Sequence, residues 1–581
     1  MTSPLENPTT GTGQHETTGT PGTTGAPDGA RPSTAVDAIA EGWVDTLLEL
    51  SPELHVYLGR PGREGQYSDY SPAGHERRAE AARRVLDALG SAAPADEVDV
   101  VTAADLRREL ELDLERHEAR LHLRDLNVIA SPAQEIREVF DLMPTASEGD
   151  WATIAERLRN VPGAVSGYRE TLAAGIAAGT APATRQVREV AEQAAAHASA
   201  DGFFRSLVAG ASSDGAELPA SLRADLDRAA GQAAESYSGL ADFLRAELEP
   251  AARQDDAAGR EEYALASRGF LGATIDLDET YEWGIEELAR MTEEQEAIAR
   301  EIKPGAGVLE AIAHLDADES RTLHGTDALQ RWMQETSDRA VEELSRSHFD
   351  IPEVIRELEC RIAPTNEGGI YYTGPADDFS RPGRMWWSVP QGVTEFATWR
   401  ELTTVYHEGV PGHHLQIAQA TYNKASLNSW RRIAGTSGHA EGWALYAERL
   451  MEELGYLDDP ADRLGMLDGQ RMRAARVVLD IGVHLRKPRL DGTGIWDADY
   501  AFEFMKRNVN MDESFVRFEV NRYLGWPGQA PSYKVGQRIW EQLRDESRRR
   551  EGADFDIKRF HRRALDLGGV GLDTLRAALL A

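Results

Sequence analysis

The chain has a single cysteine, Cys360, in 581 residues. One thiol excludes an intrachain disulfide and a thiolate metal cluster, so any metal must rest on imidazole and carboxylate groups. Cys360 itself reads as a small buried apolar residue, because no His or Asn stands near it in a nucleophile arrangement. Long apolar runs are also missing, and no 18-residue stretch could cross a bilayer. Basic charge is scarce: 63 Lys and Arg face 98 Asp and Glu, a formal net charge of -35. Such a surface repels phosphate backbones and anionic lipid headgroups, so neither nucleic acid nor membrane is expected as a partner. The first 33 residues are Thr, Gly and Pro with almost no apolar side chains. They lack the basic start and apolar run of a secretory leader. Residues 1–33 therefore read as a disordered tail on a cytoplasmic protein.

What is present is helical text. Residues 34–350 are rich in Ala, Leu, Glu and Arg at helical spacing and read as one helical lobe. Ser71 is placed to cap a helix over 72–89, residues 201–248 read as helical, and a helix from Thr280 to Ile302 should stop at Pro304-Gly305. After Ile351 the pattern changes. Residues 359–362, 370–372 and 385–389 look like edge strands of a small sheet, with a turn at 364–369. Thr394 is the expected N-cap of a helix running through His407, followed by a helical block over 427–454 and helices to the C-terminus. The expected fold is mostly α, with a small β element beside the His407 helix and residues 351–581 as the catalytic region.

The chemistry concentrates in residues 406–416. Of the 15 His, three (His407, His413, His414) fall within eight positions, beside Glu408. A His-Glu pair followed by His resembles the H-E-x-x-H arrangement, in which the His residues bind metal and the Glu handles a water proton. The spacing differs from that motif. Six residues turn about 600° on an unbroken helix and seven about 700°, which favours His414 over His413 as the partner of His407. Pro411 and Gly412 interrupt helical bonding, however, and a kink across 409–412 would bring His413 into place. Both remain candidates on spacing. Glu441, 28 positions beyond His413, offers a third ligand from another helix. Two His and one Glu would leave a coordination position open for water. Glu448, seven residues further on, is placed to orient a ligand.

These residues resemble a known family. The run from His407 to Gln416, and the run Glu441-Gly442-Trp443-Ala444-Leu445-Tyr446-Ala447-Glu448, are similar to the "domain of unknown function 885" family, which is regarded as zinc peptidases. Gly528-Gln529-Ala530-Pro531-Ser532-Tyr533-Lys534-Val535-Gly536 and Asp480-Ile481-Gly482-Val483-His484 look like two further signatures of that family. More distantly, the chain resembles thermostable carboxypeptidase Taq and thimet oligopeptidase, whose motif reads His-Glu-x-Gly-His-x-Leu. Placing Gly412-His413-His414-Leu415 on that motif implies His413 as the second ligand. A Glu about two dozen residues downstream in those groups implies Glu441 as the third. The resemblance further implies a Zn2+ ion, Glu408 as general base, and short peptides as substrate, taken into a channel between two helical lobes. It also points to Tyr533 and His484, from the C-terminal helical region, as donors to a developing oxyanion. The competing assignment for His484 is a pair with Asp480 on its own helix. Tyr371 and Tyr372 are candidates for a strand that pairs with an extended peptide, or for simple aromatic packing. Two other functions are compatible with the sequence: an amidohydrolase of small acyl-amino acids, and a helical scaffold with a degenerate site.

Overall fold

The computed structural model describes residues 31–363 and 369–581. Most of the Thr/Gly/Pro-rich tail and most of the turn expected at 364–369 therefore lie outside the described residues. Packing has begun by Arg31, which pairs with Asp37, Asp96 and Asp99.

The fold is mostly α, and its helices start where side chains supply the missing backbone partners. Ser71 accepts from the Gly74 amide and Pro72 takes the first position of the Pro72–Ser91 helix, where its absent N–H costs nothing. The helix expected from Thr280 begins earlier and spans Leu277–Ile302, because Asp276 accepts from the amides of Asp278 and Glu279. Residues 201–248 are not one helix. Phe203–Ala209 is followed by a hairpin of Ser212–Ser213 with Ala216–Glu217, then by Ala220–Phe243 and a π-turn over Leu244–Leu248. Asp214 and Gly215, at φ of 47° and 79°, form the left-handed corner that a two-residue hairpin needs.

Two large apolar cores organise the chain. One is built between Val56 and Ala252 around Trp151, Phe204 and Tyr237. The other joins residues between Tyr263 and Ile355 to the C-terminal region from Trp399 onward. The two cores thus meet along the chain near residue 255, between Ala252 and Tyr263. The Leu277–Ile302 helix belongs to the second core because it lies directly on the Pro460–His484 helix. A Cβ at Gly284 would come within 2.9 Å of Val477 Cγ1, so glycine permits this approach.

The small sheet forms as expected, with one change of order. Gly383–Trp387 lies in the centre, parallel to Leu358–Ile362 and antiparallel to Ile370–Thr373. The segment around Met385 is therefore a central strand and not an edge. Its Met385 and Trp387 pack with Leu358, Cys360, Tyr372 and Val405, which seats the sheet on the Thr398–Glu408 helix. Cys360 is buried there, and burial pushes its thiol up to about 11, as an inert core residue requires. Thr394 does not cap that helix. Glu395–Ala397 instead pairs with Thr322–His324, and the helix starts at Thr398, whose hydroxyl donates to the Arg321 carbonyl. Among the described residues no helix is long and apolar enough to cross a membrane.

Candidate metal centre

The Thr398–Glu408 helix ends on the residues that carry the chemistry. His407 and Glu408 occupy its last turn, both buried. The backbone then turns through Gly409, a cis Val410–Pro411 bond and Gly412, and a new helix opens at His413, spanning His413–Tyr422. Both glycines are dictated by space. A Cβ on Gly412 would lie 1.8 Å from the His407 carbonyl oxygen, and one on Gly409 would lie 2.6 Å from that of Val405. The Gly412 amide donates to the Tyr406 carbonyl at 3.1 Å, and the His414 amide to Gly409 at 3.2 Å. His407 closes one helix and His413 opens the next, so helical periodicity between them does not apply. Their rings meet edge to face with centroids 4.8 Å apart.

The Ser437–Glu453 helix brings the third partner. Trp443 Nε1 donates to the Pro411 carbonyl at 2.8 Å, which ties this helix to the turn between the two histidines. On its other side it crosses the Ser532–Glu551 helix at a glycine pair, where a Cβ on Gly442 would meet the Gly536 backbone at 2.5 Å. Glu441 Oε2 then lies 3.4 Å from His407 Nε2 and 3.6 Å from His413 Nε2. Ligand atoms about 2.05 Å from a tetrahedral zinc ion stand about 3.3 Å from one another. The two separations to Glu441 are close to that spacing. Glu408 completes the cluster, offering an oxygen within 4.8 Å of the ligand nitrogens of His407 and His413. Both ring nitrogens of His413, and Glu408 Oε2, are buried without a hydrogen bond. Buried polar atoms in such number are costly unless something binds them.

His414 is resolved against metal binding. Its Nε2–H donates to the Ile355 carbonyl at 2.7 Å and its Nδ1 accepts from the Tyr372 hydroxyl at 2.9 Å. Burial lowers its pKa to about 4, so it is a neutral brace between the sheet and the His413 helix. Tyr372 is thereby committed to packing, and Tyr371 stacks on Trp386.

Behind His407 runs a chain of buried polar groups. His407 Nδ1 donates to Glu448 at 2.8 Å, Gln470 Nε2 donates to the other Glu448 oxygen at 2.9 Å, and Lys534 Nζ donates to Gln470 Oε1 at 2.7 Å. Lys534 also pairs with Glu287 at 3.0 Å. Burial alone would lower the His407 pKa, but Glu441 and Glu448 on its two nitrogens outweigh that and raise it to about 9. Burial likewise opposes ionisation of Glu441, yet the two imidazoles hold it well below the usual carboxylate range. Glu408 differs: burial dominates and raises its pKa, which makes it a stronger base than a surface glutamate.

Of the two residues suggested as oxyanion donors, Tyr533 is near the site and His484 is not. Tyr533 sits in the first turn of the Ser532–Glu551 helix, one turn before the Gly442–Gly536 crossing. Burial, with the Glu441 carboxylate adding to it, raises its pKa and keeps its hydroxyl protonated. His484 lies 14 residues beyond Gln470 on the Pro460–His484 helix, roughly 21 Å along the axis. Its Nδ1 accepts from the Ala258 amide at 3.2 Å and its Nε2 donates to the Tyr523 carbonyl at 3.0 Å. Both nitrogens are used, so His484 is a structural clamp. Its neighbour Asp480 accepts from the Gly528 amide at 2.9 Å, which joins two of the sequence signatures to each other. Sequence reasoning missed Gln470, and it quoted Trp443 and Lys534 only within family signatures and gave them no role, since none of the three carries a metal-ligand pattern. A separate cavity of about 290 Å³ opens among Arg124, Arg253, Glu262 and Trp526, and its lining includes no residue of the cluster.

Fold and site together define a mostly helical protein with a buried His/Glu cluster spaced for a divalent metal. The chain belongs to the family described as "Bacterial protein of unknown function (DUF885)", which matches residues 52–579. No curated protein matches it. Among solved structures it is similar to "the putative lipoprotein from Colwellia psychrerythraea", with a TM-score of 0.78 at 21% identity over 94% of this chain and 98% of that one. It is also similar to "a putative lipoprotein of unknown function from Shewanella oneidensis", with a TM-score of 0.74 at 17% identity over 94% of this chain and 100% of that one. At these identities the likeness establishes the fold.

Proposed function

We propose that the protein is a zinc-dependent hydrolase that cleaves amide bonds of short peptides. The observation that carries this reading is the convergence of His407 Nε2, His413 Nε2 and Glu441 Oε2, with the Glu408 carboxylate beside them. A zinc ion held by these three residues would supply Lewis acidity and a bound water of lowered pKa. Three protein ligands also leave a position for that water, unlike the closed four-ligand set of a structural zinc. Glu408, adjacent in sequence to His407 but not needed as a ligand, accepts the water proton and returns it to the leaving amine nitrogen. Glu448 holds the His407 Nδ1–H and so keeps Nε2 presented to the metal. The Tyr533 hydroxyl, kept protonated by burial, donates to the carbonyl oxygen as negative charge develops there.

The test is incubation of zinc-loaded wild type and Glu408→Gln with peptides of three to eight residues and with N-acyl amino acids, read by mass spectrometry. Wild type should cleave the peptides, and Glu408→Gln should retain zinc yet lose activity by about 10²- to 10⁴-fold. Intact peptides beside cleaved acyl-amino acids would move the assignment to an amidohydrolase, and equal rates in the two proteins would remove Glu408 as the base. The cytoplasmic placement is a proposal of the same standing. The two structural neighbours are each described as a "putative lipoprotein", and cell fractionation distinguishes a soluble from a lipid-anchored protein.

A further inference from the structure

We infer that Arg473 receives the free α-carboxylate of the substrate, so that this site acts on peptides cleaved next to their C-terminus. The inference rests on the peptidase reading and narrows its substrate class.

The other arginines buried around this region are matched to partners. Arg476 donates to the Tyr523 hydroxyl at 2.6 Å and to Glu519 at 2.8 Å. Arg522 donates to Glu519 at 2.9 Å and to Gln529 at 2.6 Å. Arg449 pairs with Glu294 and Arg544 with Glu453. Arg473 makes no hydrogen bond and no ion pair among the described residues, and its Nε is buried without a partner. A buried guanidinium N–H left unpaired is costly, and a planar carboxylate is the ligand that satisfies it together with the neighbouring donors of the fork.

Its position relates that vacancy to the reaction. Arg473 lies one turn beyond Gln470 on the same face of the Pro460–His484 helix, and Gln470 is hydrogen-bonded to Glu448 behind His407. The guanidinium folds back over Gly469, where a Cβ would come within 2.7 Å of a terminal nitrogen. Its carbon lies 5.8 Å from the centre of the Tyr533 ring. The group thus stands beside both the proposed oxyanion donor and the carboxylate that orients His407. Arg476 stands over the same ring at 5.4 Å, but it shares Glu519 with Arg522 as counter-ion, which leaves Arg473 as the unpaired guanidinium there. A carboxylate held beside the proposed oxyanion donor puts the C-terminus of the peptide next to the bond that is cut.

The experiment compares tetra-alanine as the free acid with tetra-alanine amide on the full-length, zinc-loaded protein. Hydrolysis rates and calorimetric binding are both measured, on wild type, Arg473→Gln and Arg473→Lys, with thermal unfolding to confirm the fold. Wild type should bind the free acid at least about 10-fold more tightly, and kcat/KM should favour it similarly. Arg473→Gln should bring both ratios near one, and Arg473→Lys should restore part of the preference, which loss of packing alone would not do. Equal treatment of acid and amide by wild type, or an undiminished preference in Arg473→Gln, overturns the inference and leaves the peptidase reading standing. Failure to bind or cleave either peptide overturns both.

Discussion

His413 and His414 are adjacent in sequence and end in different chemistry. Helical periodicity from His407 favours His414, and the structure instead brings His413 beside His407 and Glu441 because the helix ends at Glu408 and restarts at His413. Pro411 and Gly412 signalled an interruption, but its size could not be read from spacing, since a bulge and a full helix break use the same residues. The resemblance to known peptidases carried that assignment. Glu408 was legible because it adjoins His407 in a His-Glu pair, and Glu441 because it lies at the downstream spacing that the resemblance implies for a third ligand. Gln470 and Lys534 were not, because their role arises from the crossing of helices far apart in sequence. Two outcomes follow at this scale. Glu448→Ala should weaken zinc binding by about 10- to 100-fold by removing the acceptor of His407 Nδ1–H, measured by competition with a chromophoric chelator. His414→Ala should leave zinc stoichiometry intact while lowering stability. It deletes two buried hydrogen bonds, each contributing on the order of 1 kcal/mol.

Elements position this site through close backbone approaches. The 409–412 turn and the Gly442–Gly536 crossing both depend on glycines whose Cβ would collide with backbone at 1.8 to 2.6 Å. Gly412→Ala should therefore cost several kcal/mol in stability or metal affinity, seen as a lower unfolding midpoint together with reduced zinc content. Gly442→Val should separate the Ser437–Glu453 and Ser532–Glu551 helices and act on both zinc content and Tyr533. Wild-type zinc content and unfolding midpoint in either variant would show that the turn or the crossing does not position the ligands. The sequence revealed the long helices through their caps and periodicity. It did not reveal Glu395–Ala397, because a three-residue strand is created by its partner at Thr322–His324 and by no local pattern of its own. The same holds for the central place of Gly383–Trp387, which is a property of the sheet.

Across the whole molecule, the helical character was legible while the division of cores was not, since residues 260–350 have the same helical composition whichever core they join. Buried His561 belongs to the second core. It stacks on Phe349 with centroids 4.5 Å apart, accepts from the Tyr446 hydroxyl at 2.8 Å, and is held neutral by burial with its pKa lowered to about 3. In the unfolded chain it takes a proton near its ordinary value of about 6.5. Its contribution is therefore present above about pH 6.5 and falls by up to about 1.4 kcal/mol per pH unit below that. Between pH 7 and 5 the unfolding midpoint of wild type should drop more steeply than that of His561→Gln, since groups common to both proteins cancel. Equal slopes would remove His561 from the acid sensitivity. The central claim, that His407, His413 and Glu441 hold one metal ion, is tested most directly by native mass spectrometry of wild type, His407→Ala and Glu441→Ala after exposure to zinc. The account predicts one zinc per wild-type chain and none in either variant, and a wild type that takes up no zinc, or variants that keep it, would contradict it.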